Sequence, residues 1–390
     1  MISAKPLISI LRKCRKTEKN VIVGAGKIGK ELYNLLYGQK IIVYNFFDND
    51  QEKMGNRIDN VEIVHLHKIE DENCLYIIAI ENPDARQALY AQLQELGINA
   101  DRIIAYAPVL DYEYISQLDE EDYQDTISSQ FLSVFGREMD WENPRTYNEK
   151  ICWEKLNAKD PRRTRFADKY LVRDWVKEQI GEEHLTRHYG VWDDANDIDF
   201  NELPSQFALK TTHSSAMNII VKDKSKLDIP KAINQLNYWM GLNCAYYNLE
   251  LHYKDIKPRI ICEEYLEGLA EDVYDYNIYC FNGEPKYIWC IKGSHNPDCK
   301  ASFYDLNWQM QPFSMGYPKD EIPAPRPEKL DEMLRLSRIL CKDFNHVRVD
   351  WFSMPDGRVL FGEMTFSTCG GLQRFIPEEY DEYFGNLIEY

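Results

Sequence analysis

The sequence predicts two domains, an N-terminal α/β domain with a parallel sheet and a larger α+β domain. Three observations support this prediction. Strands and helices alternate over residues 1–108, beginning with a glycine-rich turn between a strand and a helix. Hairpin signals follow one another in the later residues, which is typical of antiparallel sheets. A chain of 390 residues is also long enough to form two hydrophobic cores.

We place the domains at residues 1–108 and 128–390, joined by a connector at 109–127. Residues 111–125 are rich in acids and tyrosine and lack strong periodicity, which favours a helical or irregular surface connector. A short basic amphipathic stretch, Leu7 to Lys19, has no signal-peptide features, and we interpret it as a solvated lead-in helix.

The glycine-rich turn lies in the run VIVGAGKIG, where an apolar strand meets G-x-G-x-x-G at Gly24, Gly26 and Gly29. The next strand ends at Asp48, 19 residues after Gly29. This is close to the ~20 residues expected before the acid that binds a ribose hydroxyl. The motif predicts a Rossmann-like fold. Nucleotide occupancy is left open, with an empty docking or dimerisation module as the alternative.

Composition excludes several classes of function. The chain has 64 acidic and 46 basic residues, a net charge of −18, which argues against a nucleic-acid partner. Its 10 cysteines form no CxxC pair, so we expect a reduced cytoplasmic protein without zinc. The apolar runs are too short to span a bilayer, and weak contact with the inner face of the membrane is the alternative location.

Residues 346–371, HVRVDWFSMPDGRVLFGEMTFSTCGG, contain the main candidate for a metal site. Two alternating apolar runs flank a Pro-Asp-Gly turn, which indicates a β-hairpin. Arg348 and Asp350 differ by two residues and therefore share one strand face. We place Glu363 after the second strand, level with Asp350, and two carboxylates at strand ends suit Mg²⁺. A surface hairpin with an Arg–Asp ion pair would show the same spacing.

This Arg-x-Asp strand with a Glu on its partner resembles the metal-binding hairpin of the ATP-grasp superfamily. The runs RVDWF, FGEMTF and PRTYNEKICW resemble the TupA-like ATP-grasp ligases of bacterial polysaccharide loci, over about residues 128–390. The resemblance implies an α+β ATP-grasp domain that uses ATP and Mg²⁺. It assigns Mg²⁺ to Asp350, Glu363 and Thr365, where Thr365 replaces a common Asn, and makes Arg348 the catalytic residue that stabilises the acyl phosphate.

The resemblance also assigns nucleotide contacts. Lys169, in the run ADKY-x-VR, and Lys210, at a strand end, would bind ATP phosphates, and Lys210 would also be catalytic. A cation before a polar loop of small residues independently favours phosphate handling. Relatives have glycines in that loop and a Lys where Asn277 stands, which leaves turnover open. The other implied ATP-binding residues are His213, Ser214 and Ser215 in the loop, Glu263, Glu264, Tyr265 and Leu266 in the adenine hinge, and Glu271 (alternatively Glu267) at the ribose.

Substrate residues follow from the same comparison. In the family, a turn-rich loop like Thr365–Phe375 holds the carboxylate substrate, which implicates Gly370, Gly371 and Arg374. The N-terminal run FFDND…KMG…IDNVEI resembles the nucleotide-sugar-binding domain of bacterial sugar O-acyltransferases. This resemblance favours sugar recognition over hydride transfer.

We therefore expect a carboxylate–amine ligase that forms an amide through an acyl phosphate. The expected partners are an amino acid and a uronic-acid-containing capsule or surface polysaccharide, or its precursor. Two alternatives are an ATP-grasp phosphotransferase acting on a sugar and a non-catalytic nucleotide-binding protein. Assembly into a homo-oligomer is left open.

Overall fold

The computed structural model describes every residue except 1, 3, 6, 70–72, 81, 107–111, 267–273 and 293–298, together with the side chains of 113 and 114. The chain forms two compact units, Met1–Ser133 and Val134–Tyr390. The second unit thus begins a few residues after the predicted start at residue 128.

The first unit contains a seven-stranded sheet. Its strands are β1 (Ala4–Lys5), β2 (Asn20–Val23), β3 (Val43–Asp48), β4 (Arg57–Ile58), β5 (Val61–His65), β6 (Leu75–Ala79) and β7 (Ile103–Tyr106). The helices up to residue 135 are α1 (Leu7–Arg15), α2 (Lys27–Gly38), α3 (Pro83–Glu95), α4 (Tyr112–Ile115) and α5 (Tyr123–Phe135). The strand order is β1-β7-β6-β2-β3-β5-β4, and every pair is parallel except β4 with β5. The predicted parallel α/β sheet is confirmed.

Helix α1 is part of the core of the first unit and is not the solvated lead-in that we expected. Its buried residues are Leu7, Ile8, Ile10, Leu11 and Cys14, and all of them except Ile8 recur at the three- and four-residue spacing of one helix face. The Ile8 amide also donates a hydrogen bond of 2.9 Å to the Ser129 hydroxyl in α5. The basic residues that suggested solvation lie on the opposite face of an amphipathic helix.

The second unit contains two antiparallel sheets and a short two-stranded sheet. Its strands are β8 (His188–Trp192), β9 (Phe207–Thr211), β10 (Asn218–Val221), β11 (Ile260–Glu264), β12 (Tyr274–Phe281), β13 (Glu284–Lys292), β14 (Lys300–Tyr304), β15 (Ser314–Met315), β16 (His346–Ser353), β17 (Val359–Thr365) and β18 (Phe375–Ile376). Its further helices are α6 (Tyr147–Asn157), α7 (Arg162–Ala167), α8 (Leu171–Ile180), α9 (Ile229–Met240), α10 (Ala245–Asn248), α11 (Leu330–Cys341) and α12 (Glu379–Gly385). The strand orders are β10-β9-β11-β8, β14-β13-β12-β16-β17 and β15-β18.

The five-stranded sheet fixes which face of β16 remains polar. Val347, Val349 and Trp351 alternate along β16 and are buried in the apolar core that also contains α11. The Trp351 indole N–H donates a hydrogen bond of 2.8 Å to Ser337 in that helix. The intervening residues therefore face the other side of the sheet, where the candidate site lies.

Helix α6 begins at the N-cap Thr146 with a complete capping box to Glu149. Within the described residues, none of the helices is both long and apolar enough to cross a lipid bilayer.

Candidate active site

The Arg348 guanidinium and the Asp350 carboxylate form a two-pronged ion pair on the polar face of β16. Arg348 Nε and Nη2 donate to the two carboxylate oxygens of Asp350 at 2.7 and 2.6 Å. Arg348 Nη2 also lies 3.4 Å from Oε1 of Glu363. The predicted convergence of these three side chains is thus present. Glu363 lies within β17 and not after it, beside a β-bulge between Val349 and Trp351.

Asn277 holds Asp350 from the neighbouring strand β12, where the two residues are paired across the sheet. With its amide nitrogen turned toward Asp350, Asn277 donates to the two carboxylate oxygens at 3.1 and 3.3 Å. Burial raises the pKa of Asp350 to about 6, although the Arg348 guanidinium opposes that rise. Asn277 therefore makes a contact in the site. The family resemblance had indicated only that Asn277 replaces a lysine of the relatives.

Lys169 adds a second cation on the far side of Glu363. Its ammonium lies 3.6 Å from Oε2 of Glu363 and donates to the Ser214 carbonyl at 2.6 Å. The Thr365 hydroxyl donates to Oε1 of Glu363 at 3.0 Å. Burial works to raise the pKa of Glu363, but Lys169, Arg348 and the Thr365 hydroxyl together hold it below its usual value. Asp350, Arg348, Glu363 and Lys169 thus form a continuous chain of alternating charges.

A second charge cluster surrounds Glu263 in β11. Lys210 Nζ donates to one Glu263 oxygen at 2.7 Å, and Arg173 Nη1 donates to the other at 2.9 Å. Burial acts to raise the pKa of Glu263, but Lys210 and then Arg173 hold it below its usual value. Lys210 and Glu263 were predicted for ATP, whereas Arg173 was missed. Arg173 lies within the matched run ADKY-x-VR, so its place in that run was the available signal.

Residues 212–217, which connect β9 and β10, contain the predicted phosphate residues. His213 and Ser214 are buried and Ser215 is exposed. His213 Nε2 lies 3.0 Å from the Leu242 carbonyl, and the Ser214 hydroxyl is hydrogen-bonded to that of Thr211. Ala216 has a φ of +60°, a left-handed conformation that usually favours glycine. The connection therefore makes a turn of the kind glycine allows, although it contains no glycine.

The residues of the predicted adenine hinge make one ion pair and one apolar contact. Arg358 donates to both carboxylate oxygens of Glu264, at 3.1 and 3.2 Å. The side chain of Leu266 is buried with Met354, and Tyr265 is half-buried. Glu267 and Glu271, the alternatives for the ribose, lie outside the described residues.

The predicted substrate loop is shaped by its own backbone. Gly370 and Gly371 have φ of +60° and +68°, and a Cβ on Gly371 would lie 3.0 Å from the Asn148 carbonyl and 3.1 Å from Cys152 Sγ. Arg374 Nε donates to the Val134 carbonyl at 2.9 Å, so its described hydrogen bond is at the end of α5. Substrate binding by these three residues remains a prediction.

In the first unit, the glycine-rich turn and the strand-end acid contact each other. Gly24 has a φ of +106°, and a Cβ on Gly29 would lie 1.9 Å from the Gly24 carbonyl oxygen, which explains both glycines. The Asp48 carboxylate accepts from the Ala25 amide at 2.8 Å and from Lys53 Nζ at 3.0 Å. Nucleotide binding by Gly24, Gly26, Gly29 and Asp48 remains a prediction.

The residues of the hairpin fit a magnesium ion. Among the described residues there is no group of three or more His, Cys, Asp and Glu side chains that could enclose a metal ion. Mg²⁺ does not need one, because it is commonly held by one or two carboxylates together with water and substrate phosphates. Asp350 and Glu363, bridged by Arg348, would supply the two carboxylates, and the Thr365 hydroxyl is hydrogen-bonded to Glu363.

Comparison with known proteins bears on both units. A family model described as TupA-like ATPgrasp matches residues 149–389. A model described as C2185-like, N-terminal, matches residues 16–104. A redox-sensing transcriptional repressor Rex from Thermosipho africanus (strain TCF52B) is 32% identical over 119 residues, which cover 29% of this chain and 55% of that protein. The match thus spans about half the length of that relative.

Several solved ligases are also similar in structure at low scores. An L-amino acid ligase from Bacillus licheniformis has a TM-score of 0.33 at 12% identity, covering 96% of this chain and 75% of that one. A D-alanine–D-alanine ligase from Bacillus anthracis, complexed with ATP, has a TM-score of 0.33 at 12% identity, covering 90% and 86%. Scores this low carry no argument about function. The family match by itself confirms the expected ATP-grasp fold.

Replacing Glu263 with glutamine should destabilise the second unit. The change leaves Lys210 and Arg173 without their shared counter-charge, and breaking a buried ion pair of this kind costs about 3 kcal/mol. Urea unfolding of the full chain measures this loss. Glu182→Gln, which removes a surface partner of Lys177, is the matched control and should leave the unfolding midpoint unchanged. Equal stability of the two variants would contradict the assignment of Glu263 as the shared counter-ion.

Proposed function

The chain belongs to the TupA-like ATP-grasp family, and from this membership we propose that it is an ATP-dependent carboxylate–amine ligase. One observation carries the proposal. Arg348, Asp350, Glu363 and Lys169 meet on one polar face of the hairpin, in an arrangement that can hold a nucleotide phosphate with its metal ion. Side chains at that place supply charge and position but no nucleophile, as expected for phosphoryl transfer to a substrate carboxylate.

The proposed reaction has two steps. A substrate carboxylate attacks the γ-phosphate of ATP, which releases ADP and leaves an acyl phosphate. An amine then attacks the acyl carbon, and inorganic phosphate departs as the amide forms. Bound Mg²⁺ would neutralise phosphate charge and would be held by Asp350, Glu363 and Thr365.

The chain's own cations divide the remaining work. Lys169 and Lys210 bind the ATP phosphates after exchanging their present acidic partners, Glu363 and Glu263. Arg348 binds the acyl phosphate and then stabilises the oxyanion that develops on the attacked carbon. Glu263, Glu264, Tyr265 and Leu266 would contact the adenine, and the family resemblance assigns Glu271 to the ribose. His213, Ser214 and Ser215 would contact the phosphates. Gly370, Gly371 and Arg374 shape the substrate loop.

For the substrates, we propose an amino acid as the amine and a uronic-acid-containing surface polysaccharide, or its nucleotide-linked precursor, as the carboxylate. Two resemblances support this choice. The second unit resembles ligases of polysaccharide loci, and the run FFDND…KMG…IDNVEI of the first unit resembles a nucleotide-sugar-binding domain. Gly24, Gly26, Gly29 and Asp48 would then bind the nucleotide-linked sugar. The proposed site of action is the cytoplasm or the inner face of the membrane.

A non-catalytic nucleotide-binding protein is the second candidate. The connection at 212–217 favours this candidate. The corresponding loop of relatives, which closes over the phosphates, contains glycine, whereas residues 212–217 contain none. The left-handed Ala216 argues in the other direction, because the turn forms without glycine.

A product assay tests the proposal. The full chain is incubated with Mg·ATP, pooled amino acids and hexuronate acceptors, and the products are resolved by mass. We expect ADP together with an amide that contains both an amino acid and a uronate.

Arg348→Met should reduce the rate of ADP release by at least about 100-fold, since it removes charge stabilisation of the transition state. The control Arg335→Met changes an exposed arginine of α11 and should keep the wild-type rate.

The other outcomes identify the alternatives. A sugar product that gains phosphate and contains no amide would indicate a phosphotransferase. ATP binding without ADP release across the whole panel would indicate a nucleotide-binding protein without turnover.

The affinity for Mg·ATP should decrease as the pH is lowered. Because burial raises the pKa of Asp350 to about 6, the carboxyl gains a proton as the pH falls through that value and must lose it to bind Mg²⁺. Calorimetric titration should show binding roughly fourfold weaker at pH 5.5 than at pH 7.5. Asp350→Asn controls for protonation of the nucleotide and should show weaker binding with a smaller pH effect. An equal pH effect in both proteins would contradict the role of Asp350.

A further inference from the structure

Residues 242–250, here called the brace, contact two loops that the proposed reaction would use. The brace includes the short helix α10. One of its ends contacts the connection at 212–217, which contains the proposed phosphate residues, and the other contacts the predicted substrate loop, Thr365–Phe375. All of these residues belong to the second unit.

A buried histidine binds the first end of the brace to the connection at 212–217. His213 is 2% exposed, and its Nε2 donates to the Leu242 carbonyl at 3.0 Å. Burial lowers the pKa of His213, which favours the neutral ring with one N–H group. The Cys244 thiol is also hydrogen-bonded to Ser214. A movement of the connection would therefore displace this end of the brace.

An acid binds the other end of the brace to the substrate loop. The Ser367 hydroxyl donates to Oε2 of Glu250. The side chain of Asn248 lies against Gly370, where an added Cβ would be 3.4 Å from the Cβ of Asn248. Both contacts fall on the part of the loop that contains the predicted substrate residues.

The middle of the brace is held in one conformation. Leu249 has a φ of +55°, a left-handed backbone that costs a residue with a Cβ about 1–2 kcal/mol. Its side chain is 0% exposed, so packing holds the backbone in place. The Glu250 amide also donates to the Ala245 carbonyl at 3.0 Å, across this bend. A segment fixed in this way can transmit a displacement between its ends.

The nucleotide would act on the brace through Lys169. In the structure, the Lys169 ammonium donates to the Ser214 carbonyl at 2.6 Å and lies 3.6 Å from Glu363. When Lys169 turns to the ATP phosphates, as proposed above, the Ser214 carbonyl loses this donor. The connection at 212–217 then has to rearrange, and His213 and Ser214 are the residues that contact the brace.

We propose that the brace couples the two loops, so that Mg·ATP binding at 212–217 stabilises the substrate loop. The inference rests on the proposed ligase function and adds a regulation of substrate binding to it. The carboxylate substrate then binds more tightly when the nucleotide is present. Coupling between binding sites is reciprocal, so the substrate strengthens nucleotide binding by the same factor, typically about 5–150-fold.

Hydrogen–deuterium exchange of the full chain tests the coupling without requiring a substrate or turnover. The Gly370 amide donates to the Ser367 carbonyl at 2.9 Å, so its exchange reports on the order of the substrate loop. Exchange is measured with and without Mg²⁺ and a non-hydrolysable ATP analogue. We expect the analogue to slow exchange about 5-fold or more both at 212–217 and in the substrate loop.

Ser367→Ala should uncouple the two loops, because it removes the hydroxyl that donates to Glu250. The analogue should still slow exchange at 212–217, but it should slow exchange in the substrate loop less than about 2-fold. Asn248→Ala, which removes the contact with Gly370, is the second variant and should change the response in the same direction. The control Asp255→Asn changes an exposed acid beyond the brace and should respond as the wild type does.

The outcomes distinguish failure of the coupling from failure of the proposed function. If the analogue slows exchange at 212–217 but not in the wild-type substrate loop, the nucleotide site stands and the coupling is overturned. The coupling is also overturned if Ser367→Ala and Asn248→Ala both respond as the wild type does. If the analogue slows exchange at neither place, the nucleotide site and the coupling both fail.

Discussion

The second unit depends on one chain of alternating charges that runs through Asp350, Arg348, Glu363 and Lys169. These side chains are mostly withdrawn from water, and a buried charge is stable only beside an opposite charge that also satisfies its hydrogen bonds. Each member therefore requires the next. The surrounding structure maintains this arrangement: β16 is anchored to α11 through Trp351, and Asn277 holds the end of the chain from β12.

The chain of alternating charges also explains how a strongly acidic protein could bind a polyphosphate. Each cation that the sequence assigns to phosphate is paired with an acid: Arg348 with Asp350, Lys169 with Glu363 and Lys210 with Glu263. Binding of Mg·ATP would exchange these partners, with the metal ion taking the carboxylates and the phosphates taking the cations. Charge is rearranged locally, so the site needs no large basic surface.

The local geometry of the site could be predicted from the sequence, whereas its long-range contacts could not. The two-residue period placed Arg348 and Asp350 on one face, and the hairpin turn brought Glu363 near them. The neighbouring strand could not be predicted, because strand order in an antiparallel sheet is not encoded in local pattern. The sequence therefore showed only that Asn277 replaces a lysine, whereas the pairing of β12 with β16 places Asn277 opposite Asp350.

The same limit applies to burial. Lys155 and Arg173 look like ordinary surface cations of helices in the sequence. In the structure Lys155 is 5% exposed, and Arg173 is hydrogen-bonded to Glu263 in β11. In the first unit, the parallel sheet followed from alternating elements and glycine spacing. Burial of α1 depended on its contact with α5, which lies more than a hundred residues later.

A crystal structure of the full chain with Mg²⁺ and a non-hydrolysable ATP analogue would show whether the charge chain at Arg348 is the nucleotide site. We expect a metal ion within about 2.0–2.1 Å of oxygens from both Asp350 and Glu363, bridged to the terminal phosphates, with Lys169 and Lys210 turned from their acids to the phosphates. A nucleotide bound elsewhere, or bound here with the Arg348–Asp350 pair intact and no metal ion on either carboxylate, would contradict it.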